Sequence, residues 1–121
     1  MANILVCEDD KLIGRIIERK LLDDNHKVKV VENGSLAIRE LKNQIFQLVI
    51  SDVMMPVNSG LDVINYLRNE LKSGIPILMI SALSEEDNIQ DAIRLGANDY
   101  VPKPFSVTVL KSKVGQLLES Q

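Results

Sequence analysis

The sequence predicts an α/β protein in which a five-stranded parallel sheet lies between two layers of helices, giving three layers. Two observations carry this prediction. Five short apolar segments alternate along the chain with five segments whose apolar residues recur at helical spacing. The apolar segments are also too short and too uniformly apolar for a sheet with one wet face, so both faces should be covered. Such alternation gives parallel strands joined by right-handed crossovers.

Length and composition favour one ordinary globular domain spanning residues 1–121. The net charge is -3, so nothing in the charge balance favours wrapping a nucleic-acid backbone. No apolar run approaches the roughly 20 residues of a membrane span, and no basic region that would mark a secretory signal precedes the first apolar run. Cys7 is the single cysteine, which excludes an internal disulfide and fits the reducing cytoplasm.

Each strand is predicted from an apolar or β-branched run that ends at a polar residue or a turn. The predicted strands cover residues 3–7, 28–31, 48–51, 77–80 and 99–101. Pro56 has no N–H to donate, so it marks the loop after the third strand. The sequence Pro102-Lys103-Pro104 predicts a bend directly after the last strand.

The helices are predicted from apolar periodicity together with start and stop signals. The first helix is predicted over residues 11–23, with one apolar stripe of Leu12, Ile13, Ile16, Ile17 and Leu21. The third follows Asn58-Ser59-Gly60, and its apolar residues are Leu61, Ile64, Leu67 and Leu71. The fourth begins at Ser84-Glu85-Glu86-Asp87, which resembles a capping box, and stops at Gly96. Ser106 is the predicted cap of the last helix.

Polar residues stand at the ends of four predicted strands. Glu8 and Asp9 follow the first, Asp52 the third and Ser81 the fourth, and Lys103 lies just past the last. Because parallel strands end at one edge, these side chains should surround a single crevice, where α/β sheets bind ligands. Each has an ordinary alternative, such as a helix cap for Asp9 or a solvated charge for Lys103. Their joint placement favours a functional site.

This set of side chains suits phosphoryl chemistry beside a hard cation. Oxygen ligands without histidine or cysteine favour a partly hydrated magnesium ion. A carboxylate next to that ion can attack phosphorus and form an aspartyl phosphate, and Asp52, on the middle strand, is the predicted nucleophile. Lys103 would neutralise charge on the phosphoryl oxygens, and the Ser81 hydroxyl would donate one more hydrogen bond.

In this order and spacing, the motifs resemble those of response-regulator receiver domains of two-component signalling, such as chemotaxis regulators. The matching residues are Leu5-Val-Cys-Glu-Asp9, Ser51-Asp-Val-Met-Met-Pro56, Gly60, Ile80-Ser-Ala82, Gly96-Ala97, Tyr100 and Lys103-Pro-Phe105. The resemblance covers essentially the whole chain. It implies a doubly wound, flavodoxin-like (βα)5 fold with strand order 2-1-3-4-5.

The resemblance also implies residue roles. Asp52 matches the residue that accepts a phosphoryl group from the phosphohistidine of a histidine kinase or phosphotransfer protein. Mg²⁺ would be ligated by Asp9 and Asp52, by Glu8 through water, and by the backbone carbonyl of Met54. Lys103 matches the lysine that pairs with the phosphoryl group, and the bond from it to Pro104 is typically cis in this family.

Ser81 and Tyr100 match the family's switch pair, in which the hydroxyl moves toward the phosphoryl group and the ring turns inward. The implied output surface is the last helix–strand–helix unit, residues 85–118, where Ala92, Ile93 and Val107 would support a partner or a second receiver. We therefore expect a downstream protein or output domain and a phosphorylation-dependent dimer as partners. We expect no direct nucleic-acid or membrane contact, and no DNA-binding module in these residues.

Three departures from the family pattern affect the expectations. Ser81 stands where threonine is commoner, and Asn58-Ser59 replaces the usual Met-Asp before Gly60. Met54 and Leu83 occupy positions that tune access of water to the aspartyl phosphate. Because both are apolar, we expect slow self-dephosphorylation.

The leading interpretation is a phosphorylation-switched signalling domain, not an enzyme acting on a diffusible substrate. One alternative is a phosphatase or phosphotransferase with an aspartate nucleophile. Such an enzyme would usually carry a second Asp two residues after Asp52, where Met54 stands. Another is a nucleotide- or flavin-binding module, but the first strand is followed by Glu8-Asp9-Asp10 instead of a Gly-rich phosphate loop.

Overall fold

A five-stranded sheet forms the centre of the molecule, and its strands lie in the order β2-β1-β3-β4-β5. All four neighbouring pairs are parallel. The strands are β1 Asn3–Cys7, β2 Lys27–Val31, β3 Leu48–Asp52, β4 Ile77–Ala82 and β5 Asp99–Lys103. The computed structural model describes residues 2–82 and 86–119, and the side chains of residues 86 and 87 lie outside the description. The predicted fold class and strand order are confirmed.

Helices follow every strand. They are α1 Lys11–Asp23, α2 Gly34–Asn43, α3 Gly60–Asn65, α4 Glu86–Leu95 and α5 Val107–Glu119. A π-helix, Tyr66–Glu70, continues directly from α3. The capping box predicted at Ser84-Glu85-Glu86-Asp87 lies outside the described residues. In the described part of the chain, none of the helices combines the length and apolar character that spanning a bilayer requires.

The sheet is buried on both faces, as the uniformly apolar strands predicted. One face packs against α1 and α5 through Ile17, Leu21, Leu110 and Val114. The other face packs against α2, α3 and α4 through Ala37, Leu41, Val63, Ile64 and Ala92. Along β3, Leu48 and Ile50 face the first layer and Val49 faces the second. Side chains alternate between faces in a strand, so only an apolar run can satisfy both layers.

Three strands extend beyond their predicted ends. Asp52 is the last residue of β3, β4 includes Ser81 and Ala82, and β5 continues through Pro102 to Lys103. The bend predicted from Pro102-Lys103-Pro104 lies at Pro104, directly after β5, so only the predicted end of the strand is two residues too early. Because β5 is an edge strand, one side of it carries no neighbour that would need the missing N–H of a proline. The polar residues that were expected just past the strands are thus held by the sheet itself.

Two predicted apolar stripes are interrupted. Leu12 and Ile16 are 68% and 38% exposed, whereas Ile17 and Leu21 are buried. Only the side of α1 that carries Ile17 and Leu21 faces the sheet. Leu71 is also exposed, because the π-helix breaks the register of α3: the Leu71 N–H donates to the carbonyl of Tyr66, five residues back, at 2.8 Å.

Cys7 is fully buried in the core. Burial raises its pKa to about 12, so the thiol remains protonated at neutral pH. This agrees with its interpretation as a small core residue.

Candidate functional site

Asp52 occupies the centre of the carboxyl edge of the sheet. It ends β3, which lies between β1 and β4. In the register of the sheet, Cys7 is opposite Ser51, which places Glu8 beside Asp52. On the other side, Ala82 is opposite Lys103. The sheet register therefore brings Glu8, Asp52 and Lys103 to one edge from three different strands.

One ammonium group lies between two buried carboxylates. Lys103 Nζ is 2.7 Å from Asp52 Oδ2 and 3.1 Å from Glu8 Oε1. The Glu8 side chain is fully buried and that of Asp52 is 6% exposed. One ammonium group cannot neutralise two carboxylates. The buried part of the site therefore keeps a negative charge when both carboxylates are ionised.

Glu8, Asp9 and Asp52 form an acidic cluster. Each offers one carboxylate oxygen, and these three oxygens lie within 4.8 Å of one another. Glu8 Oε1 is buried and has no hydrogen-bond partner among the described residues. Its contact with Lys103 is an ion pair without hydrogen-bond geometry. Because a buried acceptor rarely lacks a donor, this atom indicates room for a cation, and the all-oxygen donor set fits a hard divalent ion.

The electrostatics of the site oppose ionisation of Glu8. Burial is the main cause that raises its pKa, to about 7, and the charge of Asp52 raises it further, while Lys103 acts in the opposite direction. Burial alone would lower the pKa of Lys103, but its hydrogen bond to Asp52 and the two carboxylate charges outweigh that and raise it. Lys103 is therefore always protonated near neutral pH.

Asp10, and not Asp9, caps α1. The Asp10 carboxylate accepts hydrogen bonds from the N–H groups of Leu12 at 2.9 Å and Ile13 at 3.2 Å. Its own N–H donates to Glu8 Oε2 at 3.1 Å. The helix-cap alternative for Asp9 is thus wrong, because its neighbour fills that role. An aspartate directly before the first helical residue is the sequence signal for this cap.

Ser81 and Tyr100 lie on the neighbouring strands β4 and β5. The Ser81 side chain is buried, and its hydroxyl donates to the Ala82 carbonyl at 3.2 Å. Tyr100 is 43% exposed, on the outer side of the sheet. Ile93 and Tyr100 line a shallow groove of about 550 Å³ between α4 and β5. Ala92, by contrast, is fully buried, so its predicted place on a partner surface is wrong.

The loop after β3 contacts the site directly. The Met54 N–H donates to Asp52 Oδ1 at 3.4 Å, and the Met54 side chain is 54% exposed. Asn88, in α4, contacts the Met54 sulfur through its amide nitrogen at 3.6 Å. Sequence reasoning missed Asn88, because nothing local links two residues 34 positions apart. Leu83 lies outside the described residues. The Lys103–Pro104 bond is cis, as the resemblance implied.

The chain thus combines a doubly wound parallel sheet with an acidic cluster at its carboxyl edge. Residues 4–115 match the family described as the response regulator receiver domain. The chain therefore belongs to the response regulator receiver domains of two-component signalling, which confirms the resemblance drawn from its motifs.

Relatives and solved structures agree with this assignment. The chain is 31% identical over 121 residues to "Response regulator ArlR" of Staphylococcus epidermidis, covering 100% of the chain and 54% of that relative. It is 37% identical over 115 residues to "Probable transcriptional regulator ycf27" of Pyropia yezoensis, covering 95% and 46%. The chain thus spans about half the length of these curated relatives.

Two solved structures share nearly the whole fold. The receiver domain of the Francisella response regulator 1452 has a TM-score of 0.90 at 28% identity, with 99% of this chain and 98% of that one covered. The chemotaxis response regulator CheY4 of Vibrio cholerae has a TM-score of 0.89 at 26% identity, with 97% and 98% covered.

Proposed function

We propose that residues 1–121 act as one receiver domain that accepts a phosphoryl group on Asp52 from the phosphohistidine of a histidine kinase or phosphotransfer protein. The observation that carries this proposal is the buried Asp52 carboxylate, 2.7 Å from the Lys103 ammonium and within 4.8 Å of two more carboxylates. Among the described residues, only Glu8 and Asp52 combine a lysine partner with this acidic cluster, and Asp52 is the one whose contact with Lys103 is a hydrogen bond.

In the proposed transfer, an Asp52 oxygen attacks phosphorus while the phosphorus–nitrogen bond of the phosphohistidine breaks. The leaving ring nitrogen keeps the electron pair of that bond, and a proton already carried by the other ring nitrogen makes the product neutral imidazole. Lys103 then exchanges its contact with the free carboxylate for one with a phosphoryl oxygen, and Ser81 donates its hydroxyl hydrogen bond there. These contacts stabilise charge as it develops, which is the main task in phosphoryl transfer.

Glu8, Asp9, Asp52 and the Met54 carbonyl would hold Mg²⁺, which supplies positive charge between the carboxylates and the anionic donor. The buried Glu8 oxygen, which lacks a hydrogen bond among the described residues, supports this assignment. The buried negative charge of the site would otherwise repel a phosphoryl group. Metal-dependent phosphorylation is therefore the expected behaviour.

The surroundings of the site favour a protein as the donor. An apolar groove of about 420 Å³ runs beside Lys103 and is lined by Ile13, Ile16, Pro104, Phe105 and Val107. Leu12, 68% exposed, lies on the same helix as two of these residues. A protein that delivers its phosphohistidine to Asp52 would cover this surface, which would account for the exposure of Leu12 and Ile16.

Phosphorylation adds roughly −1.5 to −2 charge units at Asp52. We propose that Ser81 moves toward the phosphoryl group, that the exposed Tyr100 ring turns inward, and that the α4–β5–α5 surface changes as a result. A downstream protein, an output domain or a second copy of the chain would recognise that surface. No direct nucleic-acid or membrane contact is expected, and the place of action is the cytoplasm.

Intact-mass measurement after incubation with Mg²⁺ and acetyl phosphate tests this proposal. The wild type should gain one phosphoryl group, Asp52→Asn should gain none, and the exposed-site control Asp23→Asn should behave as the wild type. No gain in the wild type, or an equal gain in Asp52→Asn, would show that the proposal is wrong.

A further inference from the structure

We propose that Gly34 and Val57 are positioning residues that hold the loop after β3, residues 53–59, in the shape that sets the Met54 peptide against Asp52. This inference rests on the proposed function of Asp52. It goes beyond that function because neither residue touches the acidic cluster, and both act through backbone geometry at the far end of the loop.

The loop carries two successive residues in the left-handed region. Val57 has φ 49° and Asn58 has φ 66°. Asparagine tolerates this conformation, but a β-branched residue there is a genuine outlier. The Val57 side chain is 65% exposed, so burial does not offset the strain. Strained backbone of this kind persists only where the surrounding structure imposes it, and it clusters at functional sites.

The N-terminus of α2 imposes this conformation. The N–H of Gly34 donates to the Asn58 carbonyl at 2.9 Å, and the N–H of Ser35 donates to the Val57 carbonyl at 3.2 Å. The next N–H, that of Leu36, donates to the Asn33 side chain at 2.8 Å. The free N–H groups of a helix start need acceptors, and here the loop supplies two of them. The two residues whose carbonyls accept these bonds are the ones with positive φ.

The contact is close enough to require glycine at position 34. A Cβ on Gly34 would lie 2.1 Å from the Asn58 carbonyl oxygen and 2.7 Å from its carbonyl carbon. Both atoms belong to the backbone, so no side-chain rotation relieves the overlap. Any side chain at position 34 would therefore push the loop away from α2.

The base of the loop is fixed independently. The N–H of Val53 donates to the Ile80 carbonyl at 3.1 Å, and the N–H of Gly60 donates to the Val53 carbonyl at 2.9 Å. Between this base and the contact with α2 lies Met54, whose N–H reaches Asp52 Oδ1 at 3.4 Å. Because both ends are held, the contact with α2 determines the path of the peptides between them, including the Met54 carbonyl proposed to bind Mg²⁺.

The test compares Gly34→Ala and Val57→Pro with Val57→Gly and Gly74→Ala. Proline cannot adopt the positive φ of position 57, whereas glycine adopts it freely. Gly74 is the matched control, because a Cβ there meets nothing within 4 Å. For each variant, Mg²⁺ affinity is measured by calorimetry with the metal alone, and folding by thermal unfolding.

Gly34→Ala and Val57→Pro should each weaken Mg²⁺ binding about tenfold or more, the effect typical of losing a group that supports a metal ligand. Val57→Gly and Gly74→Ala should bind Mg²⁺ within about twofold of the wild type, since neither moves the loop. Folded Gly34→Ala and Val57→Pro proteins with wild-type Mg²⁺ affinity would overturn the proposal. So would failure of both variants to fold, because the contact would then support the whole domain and not the loop.

Phosphorylation of the same variants by acetyl phosphate separates this inference from the proposed function. If the wild type is phosphorylated and Gly34→Ala requires about tenfold more Mg²⁺ for the same rate, the result supports both the proposed function and the positioning role. If the wild type is phosphorylated and all variants show the same Mg²⁺ dependence, only the positioning role fails. A wild type that binds Mg²⁺ but is never phosphorylated contradicts the proposed function alone.

Discussion

The two edges of the sheet hold their charged residues in opposite ways. At the amino edge of β4 and β5, the Arg68 guanidinium donates to the carbonyls of Ser73 at 2.7 Å and Gly96 at 2.9 Å, and to Asn98 Oδ1 at 3.0 Å. The Asn98 side chain in turn accepts the N–H of Ile77 at 2.8 Å. At the carboxyl edge, two buried carboxylates share Lys103, and Glu8 Oε1 has no hydrogen bond among the described residues.

This difference separates a structural site from the proposed phosphorylation site. Arg68 is surrounded by neutral acceptors that match its fixed fork of donors, and it joins the π-helix to the starts of β4 and β5. The carboxyl edge instead keeps a charge imbalance that would be costly in a purely structural site. Buried polar groups without a hydrogen bond call for an explanation, and the proposed function offers one, in which a cation and a phosphoryl group would complete the site.

The largest stability effect is expected at the amino edge. Arg68→Met should lower the free energy of unfolding by about 2–3 kcal/mol, because it removes charged hydrogen bonds and leaves the carbonyls of Ser73 and Gly96 unpaired. Arg94→Met is the control, since the Arg94–Asp91 pair is an exposed i,i+3 contact and should change stability little. Denaturant unfolding measures both. Equal effects of the two substitutions would remove the distinction between the edges.

Neutralising Glu8 should stabilise the protein while impairing its site. The pKa of Glu8 rises from 4.5 to about 7 in the folded state. The unfolded state therefore ionises first as pH rises, so the free energy of unfolding falls between these values and stays low above them. Glu8→Gln removes this loss and should raise the free energy of unfolding by about 1–3 kcal/mol at pH 8.

The same Glu8→Gln substitution should have little effect on stability near pH 4, where Glu8 is protonated in both states. It should also weaken Mg²⁺ binding. Unfolding curves at the two pH values and calorimetric titration check these outcomes. A variant that is less stable than the wild type at pH 8 would mean that the carboxylate supports the fold, contrary to the contrast drawn between the edges.

Met54 should slow loss of the phosphoryl group. Its backbone N–H reaches Asp52, and we expect that a polar side chain at this position would orient water for attack. Met54→Asn should shorten the phosphoryl lifetime about tenfold, equivalent to roughly 1.4 kcal/mol in the barrier. Mass spectrometry over time after removal of the phosphodonor gives this lifetime. A wild-type lifetime of only seconds, unchanged in Met54→Asn, would contradict the expectation.

The smallest stability effect is expected at Leu12, the exposed residue that precedes the groove residue Ile13 in α1. Leu12→Ser should change the free energy of unfolding by less than about 0.5 kcal/mol, because Leu12 is exposed. It should slow phosphotransfer from a histidine kinase but leave the reaction with acetyl phosphate unchanged. Leu22→Ser, also on an exposed part of α1, should affect neither reaction. Slowing of both reactions by Leu12→Ser would place its effect in the site and not in donor docking.

The alternation of apolar runs with helical segments was enough to predict the parallel sheet and the helix layers on its two faces. The strand order required the family resemblance. The Asp52–Lys103 pair, 51 positions apart, was anticipated because parallel strands end at a common edge. Periodicity did not predict the exposure of Leu12 and Ile16. It identifies the apolar residues of a helix but not how many of them the sheet covers.

Other features left no mark in the sequence. The acceptors of Arg68 are largely backbone carbonyls, which carry no residue identity, and the π-helix shifts a register that an ideal helix would keep. The left-handed Val57 contradicts its own conformational preference. Conflicts between local preference and global fold are expected near functional sites. They cannot be predicted from local sequence and become visible only in the three-dimensional contacts.

The most direct test of the central claim is to locate the acyl phosphate. After incubation with Mg²⁺ and a phosphohistidine donor, borohydride reduces an aspartyl phosphate to homoserine, and peptide sequencing by mass spectrometry identifies the converted residue. The account predicts homoserine at position 52, dependent on both the donor and Mg²⁺. Conversion at Asp9 or elsewhere, or none in a protein shown to bind Mg²⁺, would contradict it.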